Sequence, residues 1–244
     1  MKKVLVIIGI CLIAGYLIFA AFYFQGKPKG EMCIDFKVEM KGKGIDTTFV
    51  MIDDIRKVVD AKGLNPKGKL FSEIDTDAIE AAILENHMIK EANVFITNDG
   101  SVKVQVEGRV PVLRIISNKG ENYYIDIDGL DMPLSKRGAA YLPVATGAIN
   151  KEFATRDLYK FALFLHNNEF WNAQIEQIVV LPNKDIKLIP RVGDHEIILG
   201  DITGFEERLD KLFTFYQNGL NETGWNKYSV INLKFDKQVV GTKR

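Results

Sequence analysis

The fold of the first half of this chain is decided by residues 92–106, ANVFITNDGSVKVQV. Apolar and polar side chains alternate on both sides of the turn sequence Asn98-Asp99-Gly100. This pattern is typical of a β-hairpin, because successive side chains of a strand point to opposite faces and Asp-Gly suits a tight turn. The region around the turn is therefore predicted to be two paired antiparallel strands.

Two helices and another strand are predicted before the hairpin. Alternation in IDFKVEM, residues 34–40, indicates a strand. Thr47 or Thr48 is expected to cap a helix whose apolar face begins at Phe49 and which ends at Gly63, and a second helix is expected to begin near residues 75–77. Two helices can cover only one face of three strands, so residues 32–108 are predicted to form a compact α+β domain in the order β-α-α-β-β.

An uncharged apolar segment precedes this domain. Residues 4–24 read VLVIIGICLIAGYLIFAAFYF, which as a helix is long enough to cross the roughly 30 Å hydrocarbon core of a bilayer. A cleaved signal peptide is the alternative, but its apolar core usually spans only about 7 to 15 residues. We therefore predict a cytoplasmic tail and a single transmembrane helix over residues 1–24, a linker over residues 25–31, and export of the remaining chain.

The second half predicts a sheet with two longer helices. Residues 112–117, 123–127, 175–181, 186–191, 195–199 and 228–235 have strand patterns, and residues 151–166 and 203–216 have helical stripes. Residues 109–235 are therefore expected to form a mostly antiparallel β domain with helices on one face, followed by a polar tail over residues 236–244. The last predicted strand has no later strand to pair with, so we expect it at a sheet edge that is open to strand addition.

Composition excludes several classes of function. The 244 residues contain 32 Lys and Arg against 32 Asp and Glu, without the basic excess that is usual for nucleic-acid binding. Two cysteines and three histidines are too few for a disulfide scaffold or a zinc module with four Cys or His ligands. We predict no cofactor, no nucleic acid and no small-molecule substrate.

One acidic turn resembles a catalytic motif. Asp126-Ile127-Asp128-Gly129 is similar to the nucleophile motif of haloacid-dehalogenase-type phosphatases, in which two carboxylates act as nucleophile and as acid and base. However, Leu130 stands where Thr is expected, and a calcium loop beginning at Asp126 would need Glu where Arg137 stands. An ordinary polar turn is the favoured interpretation, so no catalytic or metal-binding residue is predicted.

Several short motifs, taken in order, resemble the bacterial cell-division family FtsQ/DivIB. NHMIKEANV, residues 86–94, is similar to the family's Asn-Pro-x-Ile-x-x-Ala-x-Val stretch, and Gly108-Arg109-Val110-Pro111 resembles its Glu-Arg-x-Pro junction. Residues 123–126, 132–135 and 143–144 look like the Bacteroidota-type version, and INLKF, residues 231–235, is similar to the terminal hydrophobic-Asp-Leu-Arg-Tyr strand. The first domain looks like the family's polypeptide-transport-associated (POTRA) domain.

The resemblance implies a non-enzymatic divisome scaffold of the inner membrane, with a cytoplasmic N-terminus and a periplasmic body at the division septum. Its implied partners are FtsB-like and FtsL-like proteins, through which it links early cytoplasmic division components to septal peptidoglycan synthesis. The implied docking residues lie on the terminal strand: Tyr228, Val230, Ile231, Asn232, Leu233, Lys234 and Phe235. The alternatives are a POTRA-containing outer-membrane assembly or secretion component and, more remotely, a membrane-anchored phosphatase that uses Asp126 and Asp128.

Overall fold

The computed structural model describes residues 10–19, 31–41 and 49–244, which divide into two compact units. The first unit contains the described residues up to 41 together with Met51–Glu107. The second contains residues 49 and 50 and then Gly108–Arg244. The two units are described separately below.

The N-terminal region is described only over residues 10–19, which form an exposed helix, α1. Within the described ranges, no helix is both long enough and apolar enough to span a membrane. Most of the predicted span over residues 4–24, and all of the predicted linker except its last residue, lie outside the described residues.

The first unit has the predicted strand-helix-helix-strand-strand order. Its elements are β1 (Asp35–Met40), α2 (Ile52–Ala61), a 3-10 turn (Phe71–Glu73), α3 (Thr76–Leu84), β2 (Ile89–Ile96) and β3 (Ser101–Gly108). The sheet order is β1-β3-β2, and β1 runs parallel to β3 with Phe36 opposite Val102. Asp75 caps α3 by accepting a hydrogen bond from the amide of Ala78 at 2.9 Å, which satisfies one free donor of the first turn.

The predicted start of the first helix is wrong. α2 begins at Ile52 after Met51, which has an extended backbone, and Thr47 and Thr48 lie outside the described residues. Phe49, expected on the apolar face of this helix, is instead buried in the second unit, where its ring centroid lies 5.9 Å from that of Tyr124. Its apolar character therefore reflects packing against a strand.

The second unit contains nine strands and two main helical regions. Its strands are β4 (Pro111–Ser117), β5 (Asn122–Asp126), β6 (Asp131–Met132), β7 (Val144–Gly147), β8 (Ile175–Val180), β9 (Ile186–Pro190), β10 (Glu196–Gly200), β11 (Tyr228–Asn232) and β12 (Val240–Lys243). Its helices are α4 (Lys151–Phe153), which continues through a π-helical turn (Ala154–Leu158) into α5 (Tyr159–Asn167), then α6 (Glu169–Gln174), α7 (Phe205–Phe215), a second π-helical turn (Tyr216–Leu220) and α8 (Asn221–Thr223).

All nine strands of this unit belong to one sheet, in the order β12-β11-β10-β9-β8-β7-β4-β5-β6. Most of its strand pairs are antiparallel, as expected. The sheet is nevertheless mixed, because β4 with β7, β7 with β8, and β10 with β11 pair in parallel. Two of these pairings follow from helical connections: helices α4 to α6 separate β7 from β8, and α7 separates β10 from β11. Between β4 and β7 the chain passes through β5 and β6. The unit is an α+β fold with a large mixed sheet.

One hydrophobic core joins the helices to the sheet. Ile186 and Leu188 of β9 are fully buried, whereas Lys187 and Ile189, which alternate with them, are partly exposed, so the strand turns one face to the core. Phe161 of α5 packs edge-to-face on Phe205 of α7 with ring centroids 4.8 Å apart. The other main contributors from these helices are Leu158, Leu165, Leu209 and Leu212.

Candidate partner-binding edge

The predicted docking strand lies one position inside the edge of the sheet. β11 pairs in parallel with β10, with Ile197 opposite Ile231, and it pairs antiparallel with β12, with Gly241 opposite Ile231. The expectation of an edge strand over residues 228–235 is therefore wrong, as is the expectation of a polar tail over residues 236–244. A later strand does exist, and it occupies the side of β11 that was expected to be open.

The predicted docking residues mainly support this neighbouring strand. Ile231 and Leu233 are fully buried in the core, whereas Val230 and Asn232 are partly exposed. Because Ile231 and Leu233 are fixed by core packing, substituting them would disturb the fold before it disturbed any docking surface.

The last two predicted residues follow β11 and lie nearer to solvent. Lys234 donates from Nζ to Asp185 Oδ2 at 2.8 Å, and its backbone amide donates to the side chain of Asn232 at 3.0 Å. The side chain of Phe235 is 46% exposed. Lys234 therefore fixes the end of β11, while Phe235 is the one large apolar side chain of the predicted set that faces solvent.

β12 forms the end of the sheet among the described strands. Its four residues, Val240–Lys243, are exposed except for Gly241, which is half-buried. A Cβ atom at Gly241 would collide with the ring of Tyr228, whose centroid lies 5.7 Å from that of Phe215 on α7. The absence of a side chain at Gly241 thus lets the Tyr228 ring cover β12, and the far side of β12 presents an edge suited to strand addition.

Two cations hold the ends of this terminal segment. Lys211 of α7 donates from Nζ to the carbonyl oxygens of Phe235 at 3.2 Å and Asp236 at 2.7 Å. At the other end, Arg244 donates from Nη2 to the carbonyl oxygen of Asp194 at 2.7 Å, and its amide bonds to the carbonyl of Lys227. Sequence reasoning missed Lys211, Arg244 and β12 itself; the available signal was the Val239-Val240 pair followed by Thr242, in a segment otherwise rich in Lys.

An open groove lies between α7 and the connection from β11 to β12. Its volume is about 540 Å³. The lining combines apolar side chains, Phe215 and Val239, with charged ones, Asp210, Lys211 and Lys237. The groove continues the surface of the β12 edge onto the helical layer.

Behind β12, His195 takes part in a buried aromatic cluster. Its Nε2 lies 2.8 Å from the hydroxyl of Tyr216, and the Trp225 and Tyr216 ring centroids are 4.9 Å apart. Burial lowers the pKa of His195; the nearby charge of Arg244 lowers it further, whereas Asp194 raises it. Burial also raises the pKa of Tyr216. His195, in the connection between β9 and β10, is therefore a buried histidine that favours its neutral form.

The structure assigns a structural role to the phosphatase-like acidic turn. Asp126 is buried, and its Oδ2 lies 2.7 Å from Nε and 2.6 Å from Nη2 of Arg109. Its Oδ1 accepts the backbone amides of Asp128 at 3.0 Å and Leu130 at 2.9 Å, which closes the turn between the antiparallel strands β5 and β6. Both carboxylate oxygens of Asp126 are engaged within the fold, and the interpretation of this segment as an ordinary polar turn is confirmed.

Among residues 10–19, 31–41 and 49–244, no group of three or more His, Cys, Asp or Glu side chains is arranged to hold a metal ion.

Comparisons with known proteins match both units. Residues 110–242 match the family described as FtsQ/DivIB, C-terminal related, and residues 31–107 match the POTRA-like domain family. Among curated proteins, the chain is similar to the cell division protein FtsQ of Rhodothermus marinus, with 24% identity over 183 residues. That similarity covers 71% of this chain and 67% of the relative.

Proposed function

Since the chain belongs to the FtsQ/DivIB family, with a POTRA-like domain before the family region, we propose that it is a division scaffold that captures a partner segment by strand addition at β12. The family match and the curated relative support a role in cell division. Within that role, the chain holds other division proteins in place and catalyses no reaction.

The observation that carries this proposal is the position of β12 at the end of the sheet. The strand is short and exposed, and its pairing with β11 leaves its other side as the sheet edge. An edge strand offers alternate backbone N–H and C=O groups, and an extended peptide can bind them by continuing the sheet. Backbone recognition depends little on side chains, so it does not require large side chains on the strand, and β12 has the sequence Val-Gly-Thr-Lys.

In this proposal the partners are FtsB-type and FtsL-type proteins. Residues 4–24 anchor the scaffold in the inner membrane, the two folded units lie in the periplasm, and the protein concentrates at the division septum. The motivating feature is the uncharged length of this segment, which suits a membrane span. Four of the seven predicted docking residues, Tyr228, Val230, Ile231 and Asn232, lie on the strand that supports β12, and Phe235 lies exposed after that strand.

Truncation after Gln238 tests the assignment of the docking edge. The variant loses β12 but keeps Ile231 and Leu233 in the core, so the second unit should stay folded. Binding to the FtsB-type protein from the same genome, measured by titration with the purified protein, should fall at least tenfold. Unchanged or tighter binding would show that β11 is the docking strand and that β12 covers it.

A second variant keeps the full length of the chain. Thr242→Pro removes one backbone donor and fixes φ in the middle of β12, so it should also weaken binding. Lys136→Pro, in an exposed loop after β6, is the matched control and should bind like the wild type. Equal binding by the wild type and Thr242→Pro would contradict docking at β12.

A further inference from the structure

Lys211 connects the helical layer to the start of the terminal segment. It lies on α7, and its ammonium group bonds to two successive carbonyl oxygens, those of Phe235 and Asp236. These residues come directly after the β11 region and begin the connection that leads to β12. The lysine therefore reaches across the groove and holds the chain at the point where it turns back toward the edge.

β12 depends on few contacts for its position. It is only four residues long and pairs with a neighbour on one side alone, so it has fewer interstrand hydrogen bonds than the inner strands. The ring of Tyr228, on the neighbouring strand β11, packs over Gly241. Arg244, directly after β12, fixes the C-terminal end of the strand by donating to the carbonyl oxygen of Asp194. Lys211 bonds to the connection at Phe235 and Asp236, ahead of β12, and so ties the start of the terminal segment to α7.

We propose that Lys211 is a positioning residue that holds β12 on the sheet and thereby keeps the docking edge ordered before a partner arrives. A hydrogen bond from a charged donor is stronger than one between neutral groups, and two carbonyls on one ammonium restrict the connection in two places. Ordering the edge in advance reduces the entropy that binding would otherwise lose. The consequence for partner binding rests on the proposed function, whereas the consequence for β12 does not.

Amide hydrogen exchange of the full chain measures the ordering of β12 directly. In Lys211→Met, the amides of residues 240–243 that bond to β11 should exchange about tenfold faster, while those of β8 and β9 keep their wild-type rates. Lys211→Arg retains a cationic donor and should restore most of the protection. Lys160→Met, at an exposed position of α5, is the matched control and should leave β12 unchanged.

Two exchange results would overturn the proposal: unchanged rates at residues 240–243 in Lys211→Met, or an equal increase in every strand, which would indicate general destabilisation. In the binding arm, Lys211→Met should weaken binding of the purified FtsB-type protein several-fold, with Lys211→Arg close to wild type. If β12 loosens and affinity does not change, preordering of the edge is refuted. If the wild-type chain does not bind this probe, the proposed partner is wrong, and the exchange rates alone decide the role of Lys211.

Discussion

Replacing Asp126 with Asn should lower the free energy of unfolding of the second unit by about 3 kcal/mol. The carboxylate is almost fully buried, and the side chain of Arg109 is only 14% exposed, so solvent screens this ion pair weakly. Removing one partner of a buried pair typically costs about 3–5 kcal/mol, because the other charge is left uncompensated. Asn can still accept the amides of Asp128 and Leu130 through its oxygen, which places the expected loss at the lower end of that range.

Tryptophan fluorescence during urea unfolding measures this loss in the relevant unit. The chain has two tryptophans, Trp171 and Trp225, and both belong to the second unit, so their emission does not report on the first. Arg109→Met should cause a similar loss, and the double variant should lose much less than the sum of the two. Arg156→Met is the control, because its ion pair with Glu152 is exposed and screened by solvent, so the urea midpoint should stay close to that of the wild type.

A loss below about 1 kcal/mol in Asp126→Asn would refute the argument from burial. The same variant also separates a structural role from the phosphatase alternative. Phosphatase activity in the wild type that disappears in Asp126→Asn, with the urea midpoint unchanged, would make Asp126 a catalytic group. We expect the opposite pattern, with no activity to lose and a lower midpoint.

Three further outcomes are expected. Gly147→Ala should lower the free energy of unfolding of the second unit, measured in urea, by about 3 kcal/mol, because φ is 105° and a Cβ atom would collide with the carbonyl oxygen of Val180. A loss of less than about 0.5 kcal/mol would contradict this local geometry. Burial lowers the pKa of His195, so the unfolded chain binds a proton more readily than the folded one. The free energy of unfolding should therefore decrease as the pH drops below about 6.5, and it should decrease less in His195→Gln. Equal pH dependence of the urea midpoints in the two proteins would exclude this histidine as the cause. The full chain should resist alkaline extraction from membranes and a variant lacking residues 1–24 should not, and release of the full chain would contradict an anchor.

Periodicity predicted those elements whose length let a pattern repeat. The hairpin around Asn98-Asp99-Gly100 and the helix that runs through Leu158 and Leu165 carry several apolar positions at regular spacing, and the structure confirms both. The reason is physical: a long amphipathic element must bury one face, so its sequence records which face that is. The sequence predicted the edge of the sheet at β11, one strand away from β12, because the strand that lies at an edge is decided by how the strands pair in the folded sheet.

Short strands and parallel pairings were not predictable in the same way. β7 has four residues, VATG, and β6 has two, which is too few for an alternating pattern. β7 becomes a strand because it fits between β4 and β8, with Ala145 opposite both Ile115 and Ile178. Phe49 is a related case, since its burial against Tyr124 depends on tertiary contact and not on local periodicity.

Because the sheet ends at β12 and not at β11, the terminal motif INLKF, residues 231–235, does not itself form the edge. Its residues Ile231 and Leu233 are fully buried, so a deletion starting at Tyr228 would remove part of the core together with the edge. Loss of partner binding after that deletion would not distinguish docking from unfolding. Truncation after Gln238 makes the distinction, because it removes the exposed strand and leaves the buried one. Under the proposed docking at β12, the motif supports the docking edge, and the backbone of Val240–Lys243 would recognise the partner.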